Sequence, residues 1–440
     1  MPVDLSDIGE PYPYPAHGPR LLPWLGIWLT CCAVGAPLIL LIWPSSESAS
    51  GAAFWVAVIG GPHAVFLGLL CFARIAYEAT WHYAHNCNTA RAARLAARLR
   101  IAQKPLQVLG VGYCVPSVTS KLSAIVTMTT PLFKSQMPRS GAGLVVHNRF
   151  DDEAWSEEPQ PEPEDNEDQA NEEHDQACEA VPKIATVVLK LVDALAPLIP
   201  ALQALAQYGP QYAPLARVLA HPDEMDLRTQ QARDALRIAG APALECAAEP
   251  APHNLMLADA WLDSRERRAL LILAFAWHDA DPPANSSEAA VAVLLSPGFY
   301  QLPEPIRVLA TLHRPVEELA GVESLRDLIC NTTIWGKAEP QTITRAWLTR
   351  LERNHDSTLL DTLKQASFTG IATRESHGRL DRVLGDAGAA NAWLSIAAAI
   401  ESRLAGPHLI VDRLQSAILY VNTNPLHDHT EYAGQQPESA

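Results

Sequence analysis

The sequence has no C-x-x-C pair, no G-x-S-x-G, no glycine-rich phosphate loop and no H-E-x-x-H. Those gaps remove the usual signatures of zinc ribbons, serine hydrolases, nucleotide enzymes and metalloproteases. The eight cysteines (Cys31, Cys32, Cys71, Cys87, Cys114, Cys178, Cys246 and Cys330) show no paired spacing. That fits a reducing compartment rather than a disulfide framework. Basic residues are also scarce, 33 against 49 acidic ones, for a formal net charge of −16. A nucleic-acid binder needs a basic face, so nucleic acid is excluded as a partner.

Two stretches lack charge altogether. Leu21 to Trp43 is one, with Trp24, Trp28 and Trp43 toward its ends, and Ala52 to Ala73 is the other, closed by Arg74. About 20 apolar residues cross a bilayer core, and indole rings favour its interfaces. The two runs therefore read as a transmembrane hairpin over 21–76, not as a cleaved signal peptide. The turn between them carries Glu47 and no Lys or Arg, whereas Arg74, Arg91, Arg94, Arg98, Arg100 and Lys104 follow the second run. Basic flanks stay inside. The expectation is a multi-pass protein of a bacterial inner membrane, with a cytoplasmic tail over 1–20 and the C-terminal domain in the cytoplasm. His63, inside the second run, has no acidic partner in either run and reads as a neutral structural residue. Tyr77 to Gln103 continues as a basic juxtamembrane helix (domain 77–104) attracted to anionic membrane lipids. His82, His85 and Cys87 lie close together but have no carboxylate beside them, so no metal is expected.

Lys and Arg are missing from 151–179, where fourteen acidic residues fall, leaving the rest of the chain nearly neutral. Such a segment cannot bury enough surface to fold alone and reads as a disordered acidic insertion over 151–180. Around it the pattern is that of a layered α/β domain. Leu106–Val115, Ala269–Trp277, Glu288–Leu295, Ile306–Leu312 and Ser416–Asn422 are apolar runs without alternation, as in strands covered on both faces. Thr229–Ala239, Asn254–Arg265 and Gly388–Leu404 read as helices. Ile184–Tyr208 is apolar enough to pass for a third span, but Lys183, Lys190, Asp193, Pro197 and Pro200 favour a buried or partner-facing helix. Gly110-x-Gly112 reads as a strand-end bend.

Three stretches carry a resemblance to thiolase-fold condensing enzymes of the β-ketoacyl synthase type. They are Ala269–Ser296, Arg382–Ile410 (RVLGDAGAANAWLSIAAAIESRLAGPHLI) and Glu245–Leu262 (ECAAEPAPHNLMLADAWL). The resemblance implies two related halves, here 105–300 and 301–425, with a polar tail over 426–440. It also implies a nucleophilic Cys at a helix N-terminus and two His residues. Cys246 is the candidate for the first. Asn331-Thr332-Thr333 stands where the first His belongs and Arg382 where the second does, with His377 five residues upstream. The layout of a membrane hairpin before thiolase-like halves, with the LQVLGVGY, ITRAWL and LGDAGAANAWLSIAAA stretches, also resembles the type VI secretion lipase adaptor family. That implies a non-enzymatic adaptor or scaffold holding a lipase effector as its protein partner, without cofactor, and a homodimer by analogy. The alternative is a membrane-anchored acyl-transferring condensing enzyme using Cys246, with His377, in a shifted register, as its candidate for the second His.

Overall fold

The computed structural model describes residues 6–422 apart from 17, 19, 118–120, 129, 141–142, 152–183, 265, 299–300, 319–324 and 352. The acidic insertion, save Asp151, and the tail from 426 lie outside the described residues. The chain divides into two compact units, one over Val3–Ile101 and one over Ala102–Ala440 together with Met1–Pro2.

In the N-terminal unit α1 (Leu21–Ile42) is followed by α2 (Ala52–Trp55), a five-residue π turn at Val56–Gly60, and α3 (Gly61–Ala102). A Cβ on Gly35 would lie 2.8 Å from Cγ of Pro62, so this glycine lets α1 and α3 touch. His63 Nδ1 bonds the carbonyl of Ile59 at 2.7 Å, within its own helix. With 42 residues, α3 is about 63 Å long at 1.5 Å per residue, roughly twice a hydrocarbon core. Residues 6–14 run back along its far half. Asn88 and Tyr12 exchange two hydrogen bonds of 2.8 and 3.0 Å, Asp7 takes a forked bond from Arg98, and Arg91 donates to the carbonyl of Gly9 at 2.8 Å. Two of the basic groups expected to face lipid thus already have partners within the chain.

The larger unit opens with β1 (Leu106–Cys114), then α4 (Leu122–Ile125), β2 (Lys134–Gln136), β3 (Val145–Asn148), α5 (Thr186–Leu195), α6 (Ile199–Gln207), β4 (Leu215–Ala220), α7 (Met225–Ile238), β5 (Glu245–Pro250), α8 (Met256–Asp263), β6 (Leu270–Ala276), β7 (Ser286–Ser287) and β8 (Ala289–Ser296). It continues with β9 (Ala310–Leu312), β10 (Val316–Glu317), α9 (Leu325–Trp335), β11 (Arg345–Thr349), α10 (Arg353–Gln365), β12 (His377–Gly378), α11 (Leu380–Val383), α12 (Ala390–Glu401), β13 (Gly406–Asp412) and β14 (Gln415–Val421).

The main sheet runs β12-β11-β13-β14-β9-β1-β8-β6-β4-β5, with β10 on β14. It contains the same pattern twice. Numbered within each half, the strands lie in the order 3-2-4-5-1, the fifth antiparallel to its neighbours and the second parallel to both of its own. The first strands, β1 and β9, pair antiparallel and join the halves. Both faces are covered. Along β6, Leu270, Ile272 and Ala274 enter one core, and Leu271 and Leu273 enter the other. The first core is organised by α12, whose first ten residues are all buried. Its small residues let strands approach from several sides.

Among the described residues, three helices are long and apolar enough to cross a membrane: Leu21–Ile42, Ala52–Ala102 and Thr186–Gln207. The third is amphipathic. Val187, Val188, Leu191, Leu195, Leu198, Leu202 and Leu205 enter the second core beside β1 and β8. A single 3-10 turn at Ala196–Leu198, where Pro197 stands, breaks it. This close docking corrects the reading of Gly112. It is no strand-end bend, since a Cβ there would lie 2.1 Å from the carbonyl oxygen of Ala194. Gly112→Val is expected to cost about 3 kcal/mol or more, by forcing helix from strand. Thermal unfolding of the variant checks this, and an unchanged midpoint would refute the close approach.

A small sheet, β2-β3-β7, sits beside the main one. Glu288, with 0% exposure, holds it. Its carboxylate accepts from the backbone N–H groups of Phe150 and His278 at 2.9 and 3.1 Å and pairs with Arg139, which stacks 3.8 Å over Trp277.

Candidate functional site

The chain turns from β5 into α8 at Asn254, whose φ of 33° and ψ of −115° no ordinary L-residue prefers. Such strain persists only where surrounding structure imposes it, and it concentrates at functional positions. Asn254 is 2% exposed. Its Nδ2 donates to Oδ2 of Asp412 at 2.5 Å, across 158 residues of sequence. Asp412 closes β13 and is itself 1% exposed.

Three further donors complete the Asp412 carboxylate. Thr349 Oγ1 donates to Oδ1 at 2.9 Å, Arg350 Nε donates to Oδ1 at 2.9 Å, and Arg350 Nη2 donates to Oδ2 at 2.5 Å. Arg350 follows β11 directly with a φ of 52°. Burial pushes the Asp412 carboxyl up, and the hydrogen bonds from Arg350 and Thr349 oppose that push. The forked guanidinium matches the carboxylate geometry, and four hydrogen bonds fill its acceptor sites.

The start of α8 is closed in the same way. Gln415, opening β14, places Oε1 3.0 Å from the backbone N–H of Leu255. Its Nε2 donates to the carbonyl of Pro252 at 2.9 Å and to Glu317 at 3.0 Å. A helix N-terminus offers unpaired N–H groups and a partial positive charge, which is what stabilises a thiolate. Here a neutral amide from the other half takes one of those groups.

Cys246 is elsewhere. It is the second residue of β5, buried and paired with Ala216 of β4, so no helix N-terminus begins at it. Burial pushes its thiol up, away from the thiolate form. The two stretches matched to the family's His residues are also elsewhere. Thr332 and Thr333 lie inside α9, their hydroxyls donating to the carbonyls of Leu328 and Cys330. Arg382 and His377 line a separate cleft on α10, β12 and α11. His377 Nε2 bonds the carbonyl of Ile371 at 2.8 Å, and burial holds its pKa down. The structure therefore does not bring Cys246 and His377 together. It gathers Asn254, Thr349, Arg350, Asp412 and Gln415, none of them singled out from sequence. The signals that could have found them are the Asn-Leu start of a helix after Pro-His and the polar ends of two strands, Thr-Arg and Asp-Arg.

In the N-terminal unit, His85 stacks on Trp81 with ring centroids 5.1 Å apart and approaches the Tyr14 hydroxyl at 3.5 Å. Among the described residues no group of three or more His, Cys, Asp or Glu side chains could hold a metal ion.

No family model matches the chain, and no curated protein matches it in sequence. Solved structures similar to it include a 3-oxoacyl-acyl-carrier-protein synthase III from Aquifex aeolicus, at 12% identity and a TM-score of 0.40, covering 72% of this chain and 100% of that one. A ketosynthase from the bacillaene synthase of Bacillus amyloliquefaciens is similar at 12% identity and a TM-score of 0.44, covering 74% of this chain and 77% of that one. A third is a 3-oxoacyl-(acyl carrier protein) synthase III from Pseudomonas aeruginosa, at 10% identity and 0.37. At these values no residue is carried across. The doubled strand order rests on the strand pairing of this chain itself.

Proposed function

We propose that this is a membrane-anchored, non-catalytic binding protein, built on a thiolase-like scaffold whose reaction centre has become a structural joint. The observation that carries the reading is the turn into α8. It bears Asn254 before the helix, where the sequence resemblance implies a nucleophile, and Gln415 caps the helix behind it. The side chains gathered there are two amides, a hydroxyl donating to a carboxylate, a guanidinium and a saturated carboxylate. None of them is a thiolate or an imidazole that could carry acyl transfer. Residues 6–14 lying along the far half of α3 support a hairpin anchor, since they put the tail and that half on one side. The basic residues after the second span make that side the cytoplasm of a bacterial inner membrane. The partner is a protein, and a type VI secretion lipase is the class that the sequence resemblance supplies.

The test uses the whole chain in detergent. Iodoacetamide at neutral pH should label Cys246 more slowly than a free thiol such as glutathione, as read by peptide mass spectrometry. No acyl group should pass to the protein from acyl-coenzyme A. Fast labelling or acylation of Cys246 would return the condensing-enzyme reading. For the anchor, a reporter fused behind Lys104 is expected to be active only in the cytoplasm, and periplasmic activity would overturn the orientation.

A further inference from the structure

The cleft that holds His377 has no part in the joint at Asn254. It is bounded by α10, the 3-10 turn at Arg374–Ser376, β12 and α11, and has a volume of about 290 Å³. Three guanidinium groups line it, from Arg374, Arg379 and Arg382, against one carboxylate, Asp356. Asp356 bridges two of them, taking Nη1 of Arg379 on Oδ1 at 2.5 Å and Arg382 on Oδ2. Arg379 also leans on Asp381 at 3.5 Å, and Glu375 stands exposed beside Arg374. Arg374 is exposed and, among the described residues, makes no ion pair. With His377 neutral, the lining side chains alone carry three positive charges against one negative, and the carboxylates of Asp381 and Glu375 lie outside that lining.

We propose that this cleft binds a phosphate group. An ordinary salt bridge needs one guanidinium for one carboxylate; here Asp356 is shared by Arg379 and Arg382, and Arg374 adds a third guanidinium to the same cleft. Planar guanidinium forks match phosphate oxygens, and a phosphate dianion would balance the surplus. The volume lies just under the range of pockets for drug-sized ligands, so it suits a phosphorylated headgroup rather than a large molecule. Leu359 and Leu360 supply an apolar wall for the carbon beside the phosphate. Asp356 is then the internal competitor that the phosphate displaces from Arg382. The inference does not depend on the joint at Asn254 being non-catalytic.

The experiment titrates inorganic phosphate into the full chain in zwitterionic detergent, following the unfolding midpoint, with sodium chloride at matched ionic strength as control. A saturable phosphate response is expected for the native chain. Asp356→Asn removes the competitor and should tighten binding about tenfold, while Arg374→Gln with Arg382→Gln should weaken it at least about tenfold, the worth of one charge-assisted hydrogen bond. Both variants keep the fold within reach, because Arg374 and Arg382 are exposed and Asp356→Asn keeps the shape of a half-buried side chain. A response no larger than that to chloride, or one that survives unchanged in the double variant, overturns the site. Nanodiscs separate the two sources of the group. If the response persists in both phosphatidylcholine and phosphatidic-acid discs, the ligand is soluble. If it disappears only in the acidic discs, the lipid headgroup already fills the cleft.

Discussion

Replacing Arg350 by alanine is expected to destabilise the larger unit by about 3–5 kcal/mol, because it leaves the Asp412 carboxylate buried without its guanidinium. Asp412 is 1% exposed, and Arg350 supplies two of its four hydrogen bonds. Thr349 and Asn254 remain, but neither carries charge. The loss should appear as a fall of roughly 5–15 °C in the thermal midpoint of the full chain. Asp412→Ala should be nearly as damaging, since it strands Arg350 and also frees Asn254 from the bond that holds its strained backbone. The pair Arg350→Met with Asp412→Leu should recover much of the loss, because apolar side chains of similar size need no partner. If Arg350→Ala unfolds within a degree of the native chain, the cluster is wetter than described, and the joint is no joint.

The same variants probe what the joint does. Asn254 and Leu255 belong to the first half, and Asp412 and Gln415 to the second. On the proposed reading, a scaffold gains from fastening its halves there. A buried ion pair contributes little net stability, but removing one member is costly, so the pair acts mainly to fix how the halves meet.

The parts of this fold that could be read in the sequence are those written in long apolar runs. β1, β6, β8 and β14 announce themselves as strands, and α12 as a small-residue helix, because burial on both faces leaves no room for polar alternation. Ile306–Leu312 shortens to three paired residues at Ala310–Leu312. Other strands were hidden by their composition. β5 reads ECAAEP, with two acids and a proline, and β13 begins Gly-Pro-His. β12 is two residues long. With β5 hidden, Cys246 stood as the candidate nucleophile, although the helix begins after Asn254, eight residues later. The site itself left almost no trace in the order of residues. Its members come from four elements and meet only because the sheet brings the strand ends together. A pattern along the chain records neighbours within a turn or two, and Asn254 and Asp412 are separated by most of the second half.

Acid should weaken the larger unit through His408, at the start of β13. The ring is fully buried between two fixed partners. Its Nδ1 accepts from the indole N–H of Trp347 at 3.1 Å, and its Nε2 donates to the carbonyl of Leu404 at 2.9 Å. Protonating Nδ1 would set two donors face to face, and burial alone already disfavours the charge. Its pKa is held down to about 4 from an ordinary 6.5. The unfolded ring takes its proton near 6.5, so between the two values the unfolded chain binds more protons than the folded one. Stability therefore falls as pH falls, and the contribution present above 6.5 is fully lost below 4. Linkage puts the loss at about 2 kcal/mol by pH 5 and about 3 kcal/mol by pH 4. His408→Gln offers an oxygen to Trp347 and an amide to Leu404, and it does not titrate. Its unfolding midpoint should fall less between pH 7 and 5 than that of the native chain. Equal falls would mean that His408 gives up nothing when it folds, and that the Trp347 indole does not set its tautomer.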